Sequence, residues 1–272
     1  MRPSLLRLTA ALAVALLLAG AVRAEPDVHD TRLLTQPTVS AMHVAFIYAD
    51  DLWVADLDGG NVRRLTSDIG VESHPVFSPD GKTIAFSAQY DGNTDVYTIP
   101  VEGGSPTRLT WHPGVDLVRG WTPDGKSIVF SSPRGVFTSR YTQLFTVPVS
   151  GGMPTQLPMP TGVQASFAPD AERIAYTPLG DRSTQWKHYR GGTHSRIWVF
   201  NKSDNRVEQI PQPDTRCNDL DPNWVGDVIY FRSDRGGEYN LFSYDTKAKK
   251  VNQLTHFKDF PVEDVGSGGG KV

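Results

Sequence analysis

His74-Pro75-Val76-Phe77-Ser78-Pro79-Asp80-Gly81-Lys82-Thr83-Ile84-Ala85-Phe86-Ser87 is an apolar run broken once by a turn, and the phrase returns as Gly120-Trp121-Thr122-Pro123-Asp124-Gly125-Lys126-Ser127-Ile128-Val129-Phe130-Ser131. Asp80 and Asp124 are 44 residues apart, and a third copy, Ser166-Phe167-Ala168-Pro169-Asp170-Ala171-Glu172-Arg173-Ile174-Ala175-Tyr176, places Asp170 a further 46 along. A closing phrase keeps step with it: Arg64-Leu65-Thr66, Arg108-Leu109-Thr110, Gln156-Leu157-Pro158, Gln209-Ile210-Pro211 and Gln253-Leu254-Thr255. Its hydrophobic residues are separated by 44, 48, 53 and 44 positions. A period of roughly 40–50 residues marks small supersecondary units that bury their faces only against one another.

Each unit reads as four strands. Ser78-Pro79-Asp80-Gly81 and Thr122-Pro123-Asp124-Gly125 fit a type I turn, with the fixed φ of proline second and glycine fourth. The strand after the turn, such as Thr83-Ile84-Ala85-Phe86, is short, apolar and suited to burial between sheets. A third strand alternates, as in Asp95-Val96-Tyr97-Thr98-Ile99 and Gln143-Leu144-Phe145-Thr146-Val147. A glycine pair (59–60, 103–104 or 151–152) then turns it into a fourth strand ending on the closing phrase. No helical period occurs after the first two dozen residues, so the fold class is all-β and the architecture a β-propeller.

The expected blades span about 37–66, 72–110, 115–158, 162–211 and 218–255. The first lacks the Pro-Asp-Gly turn and the fifth is degenerate there (Asn223-Trp224-Val225-Gly226-Asp227). The segment Asp259-Phe260-Pro261-Val262-Glu263-Asp264-Val265 opens as a sixth blade would, so 259–272 reads as an incomplete sixth blade and the chain as a truncated six-bladed propeller. The alternative is a five-bladed ring with a flexible tail, for which the linker-like Gly266-Ser267-Gly268-Gly269-Gly270 speaks.

Residues 1–24 read as a secretory signal. Arg2 and Arg7 provide the positive start, Leu8 to Leu18 the apolar stretch, and Val22-Arg23-Ala24 a cleavage site after Ala24. Residues 25–36 are a lead-in. Removing the signal takes three arginines and no acid, so the formal net charge goes from -3 to -6, with 24 basic against 30 acidic residues. The expected location is periplasmic or secreted, without a membrane anchor after cleavage, and the acidic balance argues against nucleic acid as a partner. One cysteine, Cys217, excludes an internal disulfide and any zinc site built on cysteines.

Catalytic signatures are missing. No Gly-x-Ser-x-Gly pentapeptide occurs. The seven histidines show no metal-ligand spacing, and His74, His112 and His256, which follow closing phrases, read as loop residues. Asp56-Leu57-Asp58-Gly59-Gly60 lacks the ligand pattern of a calcium loop and reads as a strand entering a hairpin. Cys217 reads as a half-buried spectator. No catalytic residue, metal or cofactor is therefore assigned. A sugar-cleaving propeller would need carboxylates converging on the axis, which spacing cannot reveal.

Blade four is the longest, its excess lying between Leu179 and Arg196. There Trp186, Lys187, His188, Tyr189 and Arg190 precede Gly191-Gly192, and mixed aromatic and cationic side chains on a loop suit a peptide or partner surface. Equally, Trp186 and Tyr189 can simply cover the blade edge.

The phrase Trp186-Lys187-His188-Tyr189-Arg190-Gly191-Gly192-Thr193 followed by Ile197-Trp198-Val199, with the leader and the early first blade, resembles the N-terminal propeller of exported tricorn protease homologues over residues 31–272. The resemblance implies a six-bladed propeller that gates or docks peptides for a serine peptidase core. That core's catalytic residues would lie beyond position 272, so this chain alone is expected to be inactive. Peptides or the remaining domains of the same peptidase are the implied partners, with a homo-oligomer a further option. The competing class is a stand-alone periplasmic scaffold like the Tol-system propeller. That family places an α/β domain ahead of its propeller, whereas only about a dozen residues separate Glu25 from blade one here.

Overall fold

The Pro-Asp-Gly turns close by local chemistry. In the computed structural model, which describes residues 34–138, 141–181 and 186–272, the Gly81 N–H donates to the Ser78 carbonyl at 2.8 Å and Gly81 takes a φ of +71°. Asp80 Oδ1 accepts from the Ser78 hydroxyl at 2.7 Å and the Lys82 N–H at 3.1 Å. The third copy keeps the shape with Ala171 at φ +59° in place of glycine. The leader (1–24) and most of the lead-in (25–33) lie outside the described residues.

Among the described residues twenty strands form five antiparallel four-stranded sheets. Blade one comprises β1 (Thr35–Val39), β2 (His43–Tyr48), β3 (Asp51–Asp56) and β4 (Arg63–Arg64), so it starts two residues before Pro37. Blade two comprises β5 (Glu72–Phe77), β6 (Thr83–Ala88), β7 (Asp95–Pro100) and β8 (Thr107–Arg108). Blade three comprises β9 (Leu117–Trp121), β10 (Ser127–Ser132), β11 (Gln143–Pro148) and β12 (Thr155–Gln156). Blade four comprises β13 (Gln164–Phe167), β14 (Arg173–Thr177), β15 (Trp198–Asn201) and β16 (Val207–Gln209). Blade five comprises β17 (Asp219–Val225), β18 (Val228–Ser233), β19 (Asn240–Asp245) and β20 (Lys250–Gln253). Strands within each blade pair in chain order, and the first strands β1, β5, β9, β13 and β17 lie next to one another around the axis. No helix occurs among the described residues.

Second strands explain the packing. Ile84 and Phe86 of β6 face blade one while Ala85 faces blade three; Ile128 and Phe130 of β10 face blade two while Val129 faces blade four. The alternation continues with Ile174 and Tyr176 against blade three and Ala175 against blade five. Each pair of successive sheets thus encloses one apolar cluster, large side chains on one face interdigitating with small ones on the other.

The closing phrase also has a physical role. Fourth strands end one residue before the Leu, and the Thr hydroxyl caps the start of the third strand. Thr66, Thr110 and Thr255 accept from the N–H of Leu52, Val96 and Leu241 at 2.9, 3.0 and 2.9 Å. Arg64 and Arg108 donate back to the carbonyls of Thr66 and Thr110 and pair with Asp51 and Asp95 at the head of the third strands.

Four clusters join the five blades, and residues 264–271 lie between blade five and blade one. The Gln36 N–H donates to Asp264, Asn223 Nδ2 donates to the Val265 carbonyl at 3.1 Å, and Lys271 Nζ reaches the Ala41 carbonyl at 3.1 Å. A Cβ on Gly266 would fall 1.9 Å from the Pro37 carbonyl oxygen, so glycine is what lets this backbone lie along β1. The run that reads as a linker is therefore packed against the first blade.

Candidate functional site

Four of the five inner strands carry one extra residue at a repeated place. The register against the second strand slips at Gln36-Pro37, His74-Pro75, Arg119 and Asp221-Pro222, while β13 pairs without a slip. Gln36, His74 and Asp221 take φ near the left-handed region, at 52°, 53° and 53°. Such bulges re-aim side chains. Here the bulge residues Gln36, His74, Arg119 and Asp221, with Gln164 of the regular β13, line an axial cavity of about 1010 Å³, joined by Arg232 and Asp264.

Two hydrogen-bonded groups stand on the wall. Gln36 Oε1 accepts from the His74 N–H, and Gln164 Oε1 accepts from the Asp221 N–H at 3.0 Å. The Asp221 carboxylate takes Gln164 Nε2 and Arg232 Nε, and Arg232 reaches Asp181 at 3.2 Å. Burial raises the Asp221 carboxyl and the Arg232 charge holds it back. Burial, reinforced by nearby Arg119, lowers His74 to about 3, so its imidazole stays neutral. Arg119 itself falls to about 10 through burial, offset in part by Asp221.

The corresponding sequence reading of His74 as a loop residue is corrected: it stands in β5 on the axis, whereas His112 and His256 lie in loops. The signal was the X-Pro pair repeated in three first strands, since the bulge falls on it. Cys217 is buried, not half-buried, and burial pushes its thiol up to about 12.

The blade-four insertion folds over the β18–β19 loop of blade five. Lys187 Nζ meets Glu238 at 2.7 Å, His188 Nδ1 meets Asp234 at 3.2 Å, and Arg190 pairs with the same Asp234 carboxylate at 2.5 Å. Asp234 has a fully buried side chain and also accepts from the Asn218 N–H at 2.7 Å. His188 stacks on Tyr239, with planes 15° apart, and Trp186 stacks on Tyr189 at 6.2 Å between centroids. Lys187, His188 and Arg190 thus direct their polar atoms into blade five, while Trp186 stays 62% exposed. Arg182 to Gln185 lie outside the described residues.

The exposed aromatics share an end. Trp111, Phe137, Tyr141, Trp186, Phe257 and Phe260 all belong to segments joining second to third strands or one blade to the next. In an antiparallel blade those connections lie at the end opposite the Pro-Asp-Gly turns. Among the described residues no cluster of three or more His, Cys, Asp or Glu is arranged to hold a metal ion.

A family model for the Tricorn protease N-terminal beta propeller domain matches residues 31–272. Tricorn protease homolog 1 of Streptomyces coelicolor is 34% identical over 230 residues, covering 84% of this chain and 21% of that protein. The Tricorn protease of Thermoplasma acidophilum is 28% identical over 252 residues, covering 88% and 23%. The crystal structure of the tricorn protease superposes with a TM-score of 0.77 at 29% identity, over 87% of this chain and 24% of that one. A putative TolB from Agrobacterium tumefaciens shares the fold, with a TM-score of 0.66 at 20% identity over 82% of this chain and 80% of that one. The chain spans about a fifth of the length of the curated relatives it matches.

Proposed function

The chain belongs to the tricorn protease N-terminal beta propeller family, and on that premise we propose that it is a non-catalytic module that gates or docks peptides for a proteolytic core carried elsewhere in a longer, exported protein. The axial cavity carries this reading. At about 1010 Å³, with a wall of amide, guanidinium and carboxylate groups, it has the volume and the hydrogen-bonding groups to take an extended peptide backbone. Its residues are suited to binding. A histidine near 3 is too weak a base for proton abstraction at neutral pH. Export rests on the leader pattern of residues 1–24. A second reading, a stand-alone protein-binding scaffold, is favoured by the aromatic residues gathered at one end.

Anisotropy of labelled unstructured peptides separates the two. Gly120 lines the cavity with ordinary φ, and a Cβ there meets only the Ala165 carbonyl at 3.6 Å, so the backbone accepts a side chain and Gly120→Phe adds bulk at the channel wall. Binding lost in Gly120→Phe and kept in Trp186→Ala supports the channel; the reverse pattern supports the scaffold. Peptide turnover by the chain, abolished by a substitution within 25–272, would overturn the non-catalytic assignment.

A further inference from the structure

Among the described residues four half-buried arginines meet carboxylates, Arg108 with Asp95, Arg134 with Asp116, Arg232 with Asp221 and Arg235 with Asp219, while Arg196 donates to His194 instead. Arg119 departs from the pattern. It occupies the β9 bulge, half-buried on the cavity wall, and its Nε donates to the Ser131 hydroxyl at 3.0 Å. Among the described residues no carboxylate pairs with its terminal amino groups. Asp221, the acid that bears on it electrostatically, is already engaged by Arg232 and Gln164. A guanidinium removed from bulk water without an anion keeps an unused capacity for a planar, two-oxygen acceptor. His74, also on the wall, adds a ring with no charge, and its Nδ1 is buried without a partner.

We propose that Arg119, with His74 beside it, is the carboxylate-binding position of the axial channel, taking either an acidic side chain or the C-terminal carboxylate of a peptide. The inference rests on the channel reading above and adds a charge preference to it. The wall is asymmetric in the required sense. Asp221, paired with Arg232, and Asp264 stand on the side where blade five meets the 264–271 segment, whereas Arg119 stands on blade three without a paired acid, so a carboxylate is drawn to the blade-three side.

The test uses four labelled peptides of one neutral sequence, with Glu or Gln at the centre and a free or amidated C-terminus. Affinities are measured at low and physiological salt against the whole chain and against Arg119→Gln. A carboxylate paired with a desolvated arginine binds about tenfold or more tighter than its amide. The expected result is that advantage for the free acid, for the Glu peptide, or for both, identifying the source of the carboxylate. Arg119→Gln should remove the advantage and leave the doubly neutral peptide bound as before, which also shows that the variant is folded. Equal affinities for all four peptides in the unsubstituted chain overturn the inference while leaving the channel reading standing. So does an advantage that survives Arg119→Gln. Binding of none of the four overturns both. If Arg119→Gln does not fold, the acid-over-amide ratio in the unsubstituted chain, falling as salt rises, decides the matter.

Discussion

Asp234→Ala should release the blade-four insertion from blade five. The carboxylate is fully buried and serves the Asn218 N–H at 2.7 Å, Asn218 Nδ2 at 3.0 Å, His188 at 3.2 Å and Arg190 at 2.5 Å. Its loss strands a buried backbone N–H, which costs about 1–3 kcal/mol. Asn218 Nδ2 retains the Tyr189 carbonyl at 2.9 Å and adds little. Side chains of Arg190 and His188 are 39% and 37% exposed, so water replaces much of what they lose, leaving about 0.5–1 kcal/mol each. The total is about 2–5 kcal/mol. Asp234→Asn keeps an oxygen for the Asn218 N–H and loses only the charge, for about 1–2 kcal/mol. Urea unfolding of the three proteins gives the stabilities. Trypsin cleavage after Lys187 and Arg190, with the fold otherwise intact, reports release of the insertion and should be fastest in the alanine variant. Both variants within about 0.5 kcal/mol of the parent, with unchanged cleavage, would refute the claim that this carboxylate fastens the loop.

Thr110→Val keeps the shape of a buried side chain but removes a hydroxyl that accepts from the Val96 N–H at 3.0 Å and donates to Asp95 at 3.0 Å. A loss of about 1–3 kcal/mol by denaturant titration is expected, and a neutral result would return the closing phrase to a mere pattern. Glu72 is buried on β5, and burial, with Asp51 and Asp68 nearby and only partial relief from Tyr90 and Thr66, lifts its carboxyl from 4.5 to about 7. The folded state therefore holds a proton that the unfolded chain releases, so stability is full below pH 4.5 and falls as pH rises towards about 7. Thermal melts across that range should slope downward, and Glu72→Gln should flatten the slope; an unchanged slope would locate the titration elsewhere.

Much of the architecture was written in nearest-neighbour chemistry. Ser78-Pro79-Asp80-Gly81 closes a turn from its own atoms, and a six-residue run such as Thr83–Ala88 is β-prone wherever it stands. Repetition of such units at a near-constant spacing leaves stacking around an axis as the way to cover both faces of every sheet. The insertion was visible for the same reason, as an interruption of a period. Its orientation was not: that Arg190 meets Asp234, 44 residues away, depends on how blade five docks on blade four.

The axial wall depended on tertiary structure altogether. His74 and Asp221 share only the proline that follows each, and Arg119 lacks even that, so nothing in the separate segments shows that the three meet. One extra residue in the first strand that carries each of them turns it towards the axis, and only closure of the sheets around that axis brings the three onto one wall. Local sequence determines turns and strands because their energies come from a few adjacent residues. The site is decided by the fold because its electrostatics arise between side chains that the chain separates by dozens of positions and the ring sets side by side.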